Sequence, residues 1–188
     1  MKPYPNLEAF CGKKRSGKDY CLQALMDDNR GRVITQRLSF SDGLRDIAHT
    51  IYPWLPARIP DELKDVPFVH PKNPRGLTPR EIWLHLGNET GLRYIQPDIF
   101  LDIFIQNCLR DIQENPQCLY IISDVRTPQE YEWIKANQIK LTRISKADRQ
   151  GIVEDKIEEF IDQMVVDHEF VNPFTGGQPF IDFYRSTL

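Results

Sequence analysis

Cys11-Gly12-Lys13-Lys14-Arg15-Ser16-Gly17-Lys18-Asp19 is the stretch on which the reading of this chain turns. It matches G-x-x-x-x-G-K and stands between a short apolar run, Leu7 to Cys11, and a segment of helical content, Asp19 to Met26, closed by Asn29 and Gly31. Strand, glycine-rich loop and helix in that order describe a phosphate-binding loop. Its backbone N–H groups wrap phosphates, the helix N-terminus adds partial positive charge, and Lys18 reaches the terminal phosphates. Gly12 and Gly17 allow the backbone to come close, and Lys14, Arg15 and Ser16 fall inside the cradle as nucleotide-binding candidates. The alternative is a chance glycine-rich turn carrying solvated basic residues, against which the strand-loop-helix setting argues.

Outward from this loop, short apolar runs alternate with segments of helical period, the signature of an α/β fold around a mostly parallel sheet. Val33 to Phe40 reads as a second strand, and Asp42 as the cap of a helix with Leu44, Ile47, Ala48, Ile51 and Tyr52 at helical spacing. Seven of the 14 prolines lie between Pro53 and Pro79, so a long irregular excursion is expected there, the candidate substrate-facing insertion. Order resumes at Thr78-Pro79-Arg80-Glu81, spaced as a capping box, and a further helix is expected from Pro97 to Glu114. Cys118 to Ile122 reads as a central strand ending at Ser123-Asp124-Val125-Arg126, and Thr127-Pro128-Gln129-Glu130 repeats the capping-box spacing. Ile139 to Ile144, a charged helix from about 152 to 164, a strand from Val165 to Val171 and a closing helix through Phe180, Phe183 and Tyr184 complete five strands with covering helices. The expectation is one three-layer P-loop NTPase domain over 1–188, with an acceptor-binding insertion about 53–97 and a lid-like segment about 145–164.

The composition suits that reading. Among 188 residues, 24 Lys and Arg face 27 Asp and Glu, a net charge of −3, which argues against general nucleic-acid binding because that needs a basic face. The four cysteines include no C-x-x-C pair and the four histidines are scattered, so no zinc site is read. Neither a signal-peptide pattern nor an apolar run of about 20 residues is found, and a reduced, cytoplasmic protein away from membranes is expected.

Several side chains carry the chemistry. Asp19 occupies the position where a serine or threonine ordinarily meets Mg²⁺; a carboxylate there implies a cation between it and a triphosphate, or else a helix-terminal charge. Asp124, at the end of an apolar strand, resembles a Walker B aspartate, with a turn or cap residue as the alternative. Arg126, two residues on, could hold a transferring phosphoryl group through two donors, or be a surface ion pair. Arg80, Arg93 and Arg149 are further cations of the kind that phosphoryl transfer must gather, although each alone reads as a solvated charge. Asp148-Arg149-Gln150-Gly151 fits D-x-x-G, yet no Asn-Lys-x-Asp guanine element accompanies it, which discounts a GTPase-like switch. Trp54, Trp83 and Phe68 are given no role.

Taken together, residues 11–20, Leu38-Ser39-Phe40-Ser41-Asp42-Gly43-Leu44-Arg45, Thr78-Pro79-Arg80-Glu81 with Leu86-Gly87, Pro97-Asp98-Ile99-Phe100, Ser123-Asp124-Val125-Arg126, and Asp167 with Asn172 resemble phage-type deoxynucleoside monophosphate kinases. The resemblance spans most of the chain, but only the loop and the Asp-x-Arg element are individually specific. It implies a P-loop kinase related to adenylate kinase that uses ATP and Mg²⁺. The nucleotide would lie on residues 12 and 14–19 with Arg149 and Asn172, the acceptor on Arg45, Arg80, Arg93 and Asp98, and the metal on Asp19 and Asp124. Lys18, Arg126 and Asp124 would carry catalysis. The expected partners are small molecules, ATP and a nucleoside monophosphate, with a homodimer left open. The two specific elements are also similar to animal phosphomevalonate kinases, while the stretch from His85-Leu86-Gly87 through Gly91-Leu92-Arg93 to Pro97-Asp98 leans toward the nucleotide kinases. A nucleotide-binding module without turnover remains the third reading.

Overall fold

Five parallel strands run β2-β3-β1-β4-β5 across one sheet: β1 (Leu7–Cys11), β2 (Thr35–Leu38), β3 (Leu119–Val125), β4 (Lys140–Lys146) and β5 (His168–Asn172). The computed structural model describes residues 3–88, 90–146 and 156–188. The helices are α1 (Lys18–Asn29), α2 (Asp42–Ile51), α3 (Pro79–Gly87), α4 (Leu92–Ile95), α5 (Ile99–Glu114), α6 (Pro128–Ala136), α7 (Lys156–Gln163) and α8 (Gln178–Ser186). The architecture is the three-layer α/β one expected of the P-loop NTPase fold. Residues group into two compact units, 1–39 with 108–188, and 40–107.

The first unit holds the sheet. Side chains alternate faces along each strand, so Phe10, Ile121, Ile144 and Phe170 point together into a core completed by Leu22 and Leu25 of α1 and Phe180 and Tyr184 of α8. Phe180 meets Phe10 edge-on at 5.6 Å and Phe170 at 5.2 Å. On the alternate residues Ala9, Ile122 and Leu141 are fully buried, as is Ile134 of α6. The Tyr120 hydroxyl, donating to the carbonyl of Asp111 at 2.7 Å, ties the end of α5 to β3. Because β3 pairs with β1 and its following strand β4 pairs with β1 on the other side, the β3–β4 crossover passes β1, and the carboxyl ends of β1 and β3 lie together. Open α/β sheets take ligands at such a point.

The second unit has its own apolar centre of Ala48, Leu55, Ile82 and Trp83, with Leu44, Tyr52, Trp54, Ile59, Phe68, Leu77 and Leu86 packed around it. The proline-rich excursion is irregular, as expected, yet packed around this centre. A 3₁₀ turn spans Asp61–Leu63, and buried Asn73 staples the chain internally, donating to the carbonyls of Phe68 (2.7 Å) and Leu77 (2.9 Å) while accepting from the Leu77 N–H (3.1 Å). Side-chain hydrogen bonds here replace those the prolines cannot make.

Both capping boxes form as the spacing predicts, at Thr78/Glu81 and Thr127/Glu130. Elsewhere the boundaries move. Strand β2 is shorter than 33–40, with Val33 and Ile34 exposed beside it. Strand β5 begins at His168 rather than Val165, because the Asp167 carboxylate accepts the Leu141 N–H (2.8 Å) while the Asp167 N–H donates to the Leu141 carbonyl (2.9 Å), ending the preceding segment just before the ladder. Ser41, not Asp42, precedes α2; Asp42 is its first residue and pairs with Arg45 at 3.0 Å. Helix α4 had no counterpart in the periodicity. Of the segment 145–164, residues 147–155 lie outside the described residues, and with them Asp148, Arg149, Gln150 and Gly151. No helix among the described residues is long and apolar enough to cross a membrane.

Candidate functional site

The loop from Gly12 to Gly17 leaves β1 at a buried cysteine and enters α1 at Lys18. Its path requires three left-handed or near-extended positive-φ residues, Gly12 (155°), Arg15 (64°) and Gly17 (83°), the last preceding the first helical residue. A Cβ on Gly12 would stand 2.2 Å from the Ile144 carbonyl of β4, and one on Gly17 2.2 Å from Asn172 Nδ2. The glycines are thus demanded by close approach of β4 and β5 to the loop. Asn172 Nδ2 donates to the Ser16 carbonyl at 3.1 Å and Asn172 Oδ1 accepts from the Phe174 N–H at 2.9 Å, so this side chain, expected to bind nucleotide, holds the loop. Ser16 is itself buried, and its hydroxyl has no partner among the described residues. Lys14 and Arg15 are exposed on the loop, whereas Lys13 pairs with Asp162 of α7 at 2.7 Å.

Lys18 is only 6% exposed, its ammonium 3.4 Å from the Lys13 carbonyl. Burial holds its pKa below the ordinary lysine value, the Arg126 charge pushes the same way, and Asp19 and Asp124 oppose both. Arg126, Asp19 and Asp124, named from two separate motifs, therefore lie within electrostatic reach of Lys18 at the carboxyl ends of β1 and β3. Asp19 is the second residue of α1, exposed; Gly17 holds the cap position, so Asp19 contributes a first-turn charge but no cap.

Asp124 is not a turn or cap residue: it lies within β3, and Thr127 caps the helix that follows. The buried Ser39 hydroxyl, just past β2, donates to Asp124 Oδ2 at 2.6 Å. Arg126 follows β3 and is exposed, but its backbone is clamped, because Glu130 Oε2 accepts from both the Arg126 N–H (2.8 Å) and the Thr127 N–H (3.0 Å). The capping box thus does double duty, starting α6 and setting where Arg126 leaves the sheet. Hard carboxylate oxygens are the donors Mg²⁺ prefers, and it is commonly held by one or two of them together with substrate phosphates and water. Asp19 and Asp124, both close enough to act on Lys18, fit that ion.

The remaining candidates belong to the second unit. Arg45 pairs with Asp42 and lies over the Trp83 ring at 5.3 Å. Arg80 forks onto Asp65, with Nε at 2.5 Å from one oxygen and a terminal nitrogen 3.2 Å from the other. Arg93 lies over Phe100 at 5.5 Å, and its Nε is buried with no acceptor among the described residues. Asp98 is exposed just before α5, where its carbonyl accepts from Asp102 at 2.9 Å.

Sequence reasoning gave no separate role to Ser39, Glu130 or Asp162. Ser39 stood only within a longer run and Glu130 only as a capping residue; the pairing of β2 with β3 is the signal that would have put Ser39 beside Asp124. No protein-family model matches this chain, and no curated protein matches it.

Proposed function

We propose that this chain is an ATP-dependent kinase that transfers the γ-phosphoryl group of ATP to a deoxynucleoside monophosphate, releasing ADP and the deoxynucleoside diphosphate. The observation that carries the reading is the gathering of Lys18, Asp19, Asp124 and Arg126 around one strand-loop-helix turn at the crossover point of the sheet. The choice of acceptor rests on the resemblance of residues 78–100 to nucleotide kinases.

In this mechanism the bond between the γ-phosphorus and its bridging oxygen breaks as an acceptor phosphate oxygen bonds to that phosphorus. The acceptor oxygen is already anionic, so no protein base has to remove a proton. What the protein supplies is position and charge. The loop N–H groups and Lys18 hold the donor phosphates, and the two-donor fork of Arg126 holds the transferring group. Asp19 and Asp124 would hold Mg²⁺, which when bound supplies further neutralisation of the phosphate charge. Of the acceptor-side cations, Arg80 is paired with Asp65 and Arg45 with Asp42, which favours Arg93 for the acceptor phosphate.

The test is incubation with ATP, Mg²⁺ and a panel of deoxynucleoside monophosphates, ribonucleoside monophosphates and phosphomevalonate, with the diphosphate products resolved. Formation of a deoxynucleoside diphosphate with the highest kcat/KM is expected. A higher kcat/KM for phosphomevalonate overturns the acceptor assignment, and ADP binding without turnover of any acceptor overturns catalysis in favour of a binding module.

A further inference from the structure

We infer that Ser39 is a positioning residue for the metal site, acting through Asp124; the inference rests on the reading of Asp124 as a Mg²⁺ ligand. Three observations carry it. Ser39 is 2% exposed, at the carboxyl end of β2, where Leu38 pairs with Ile122 of β3. Its hydroxyl donates to Asp124 Oδ2 at 2.6 Å, a length typical of a hydroxyl donating to a carboxylate. The chain around it is held in register by the Ser123 hydroxyl, which donates to the Leu38 carbonyl at 3.3 Å.

The physical consequence concerns the orientation of a ligand. In β3 Asp124 stands between Ile122, which pairs with Leu38 of β2 and Ala9 of β1, and Val125, which pairs with Cys11 of β1. Its backbone is thus bracketed by paired residues, and the freedom left to its carboxylate is chiefly rotation about its own side-chain bonds. A donor held just past the end of the neighbouring strand β2 restricts that rotation. Outer hydrogen-bond partners of this kind orient metal ligands, and removing one typically costs roughly 10–100-fold in metal affinity. The hydroxyl does not have to touch nucleotide or metal. It lies 85 residues from Asp124 in the chain, and the β2–β3 pairing is what brings the two together.

The test measures ADP affinity by calorimetry with and without Mg²⁺, for the parent protein, Ser39→Ala, Asp124→Asn and the double variant, with circular dichroism to check the fold. The expected result is that Ser39→Ala leaves ADP affinity without Mg²⁺ unchanged but reduces the tightening caused by Mg²⁺ roughly tenfold. The double variant should show no larger loss than Asp124→Asn alone, since one effect runs through the other. A loss of ADP affinity in Ser39→Ala that is equal with and without Mg²⁺ reveals a structural role and overturns the inference. So does an unchanged Mg²⁺ response in Ser39→Ala when Asp124→Asn reduces it, which leaves the assignment of Asp124 standing. If Asp124→Asn itself responds to Mg²⁺ like the parent, the reading of the metal site fails and the inference with it.

Discussion

Asn172, the last residue of β5, donates through Nδ2 to the carbonyl oxygen of Ser16, 156 residues earlier, at 3.1 Å. This buried bond fastens the Gly12–Gly17 loop to the strand at the far end of the sheet order. A carbonyl left unsatisfied in the interior costs about 1–3 kcal/mol. Asn172→Ala should therefore lower the melting temperature by about 2–4 °C for each kcal/mol lost. Asn172→Asp should lower it further, because a carboxylate turned toward the carbonyl can only repel it. Thermal melts of the two variants check the order, and equal melting temperatures for parent and Asn172→Asp would remove Asn172 as the anchor.

The two loop glycines should respond differently to alanine. At Gly12 the added Cβ meets the Ile144 carbonyl, part of the β4 backbone, at 2.2 Å; at Gly17 it meets Asn172 Nδ2, a side chain, at the same separation. A backbone in a paired strand cannot yield, so Gly12→Ala should prevent folding or cost more than about 3 kcal/mol. Gly17→Ala can fold by displacing Asn172, and it should show the Asn172→Ala defect plus about 1–2 kcal/mol for the left-handed backbone. Chemical denaturation of both variants, with Asn172→Ala as the reference, measures the difference.

Lys18 sets stability against function. Its pKa is depressed by burial, so the charged form is disfavoured in the folded chain relative to the unfolded one. The sign of the linkage follows: the stability contributed by a group with a lowered pKa is complete above its unfolded value and is lost as pH falls through the folded value. At neutral pH the parent protein carries this loss, and Lys18→Met does not. Lys18→Met should melt higher than the parent at neutral pH, by a few degrees if about 1 kcal/mol is relieved. That advantage should shrink as pH rises toward the unfolded lysine value of 10.5. Kinase turnover should fall roughly 10²–10³-fold in Lys18→Ala with the fold intact. A melting advantage that does not vary with pH would show that the ammonium is not the cause.

Arg126 and Glu130 should separate placement from charge. Arg126→Lys keeps the charge but loses the planar fork, so kcat should drop while the KM for ATP changes little. Glu130→Ala removes the acceptor shared by the Arg126 and Thr127 N–H groups. It should cost about 1 kcal/mol of stability, as loss of a helix cap does, and also reduce kcat with Arg126 still present. Thr127→Ala weakens the same cap without touching the Arg126 N–H. The comparison that decides is kcat at matched stability: equal values in Glu130→Ala and Thr127→Ala would confine Glu130 to capping.

What the residues determine on their own is local. The order Cys11 to Asp19 makes a strand-loop-helix turn because its glycines occupy the two places where neighbouring strands come closest, and Thr78/Glu81 and Thr127/Glu130 start helices through contacts three residues apart. Asp124 and Arg126 were legible for the same reason, as polar residues ending a buried run. The proline-rich stretch is irregular as its prolines imply, but what holds it, Asn73 and an apolar cluster gathered from α2, α3 and the stretch itself, lies in contacts that no short window contains. The start of β5 was displaced by a bond from Asp167 to Leu141, which is likewise invisible to periodicity. Only the tertiary structure decided that β3 would lie between β2 and β1, which put Ser39 beside Asp124 and Arg126 within electrostatic reach of Lys18, and that β4 and β5 would follow on the other side of β1, which brought Asn172 to the loop. Strand order is set by which apolar faces can be buried together across the whole chain. The partners it brings together are therefore fixed by packing at separations far beyond any motif.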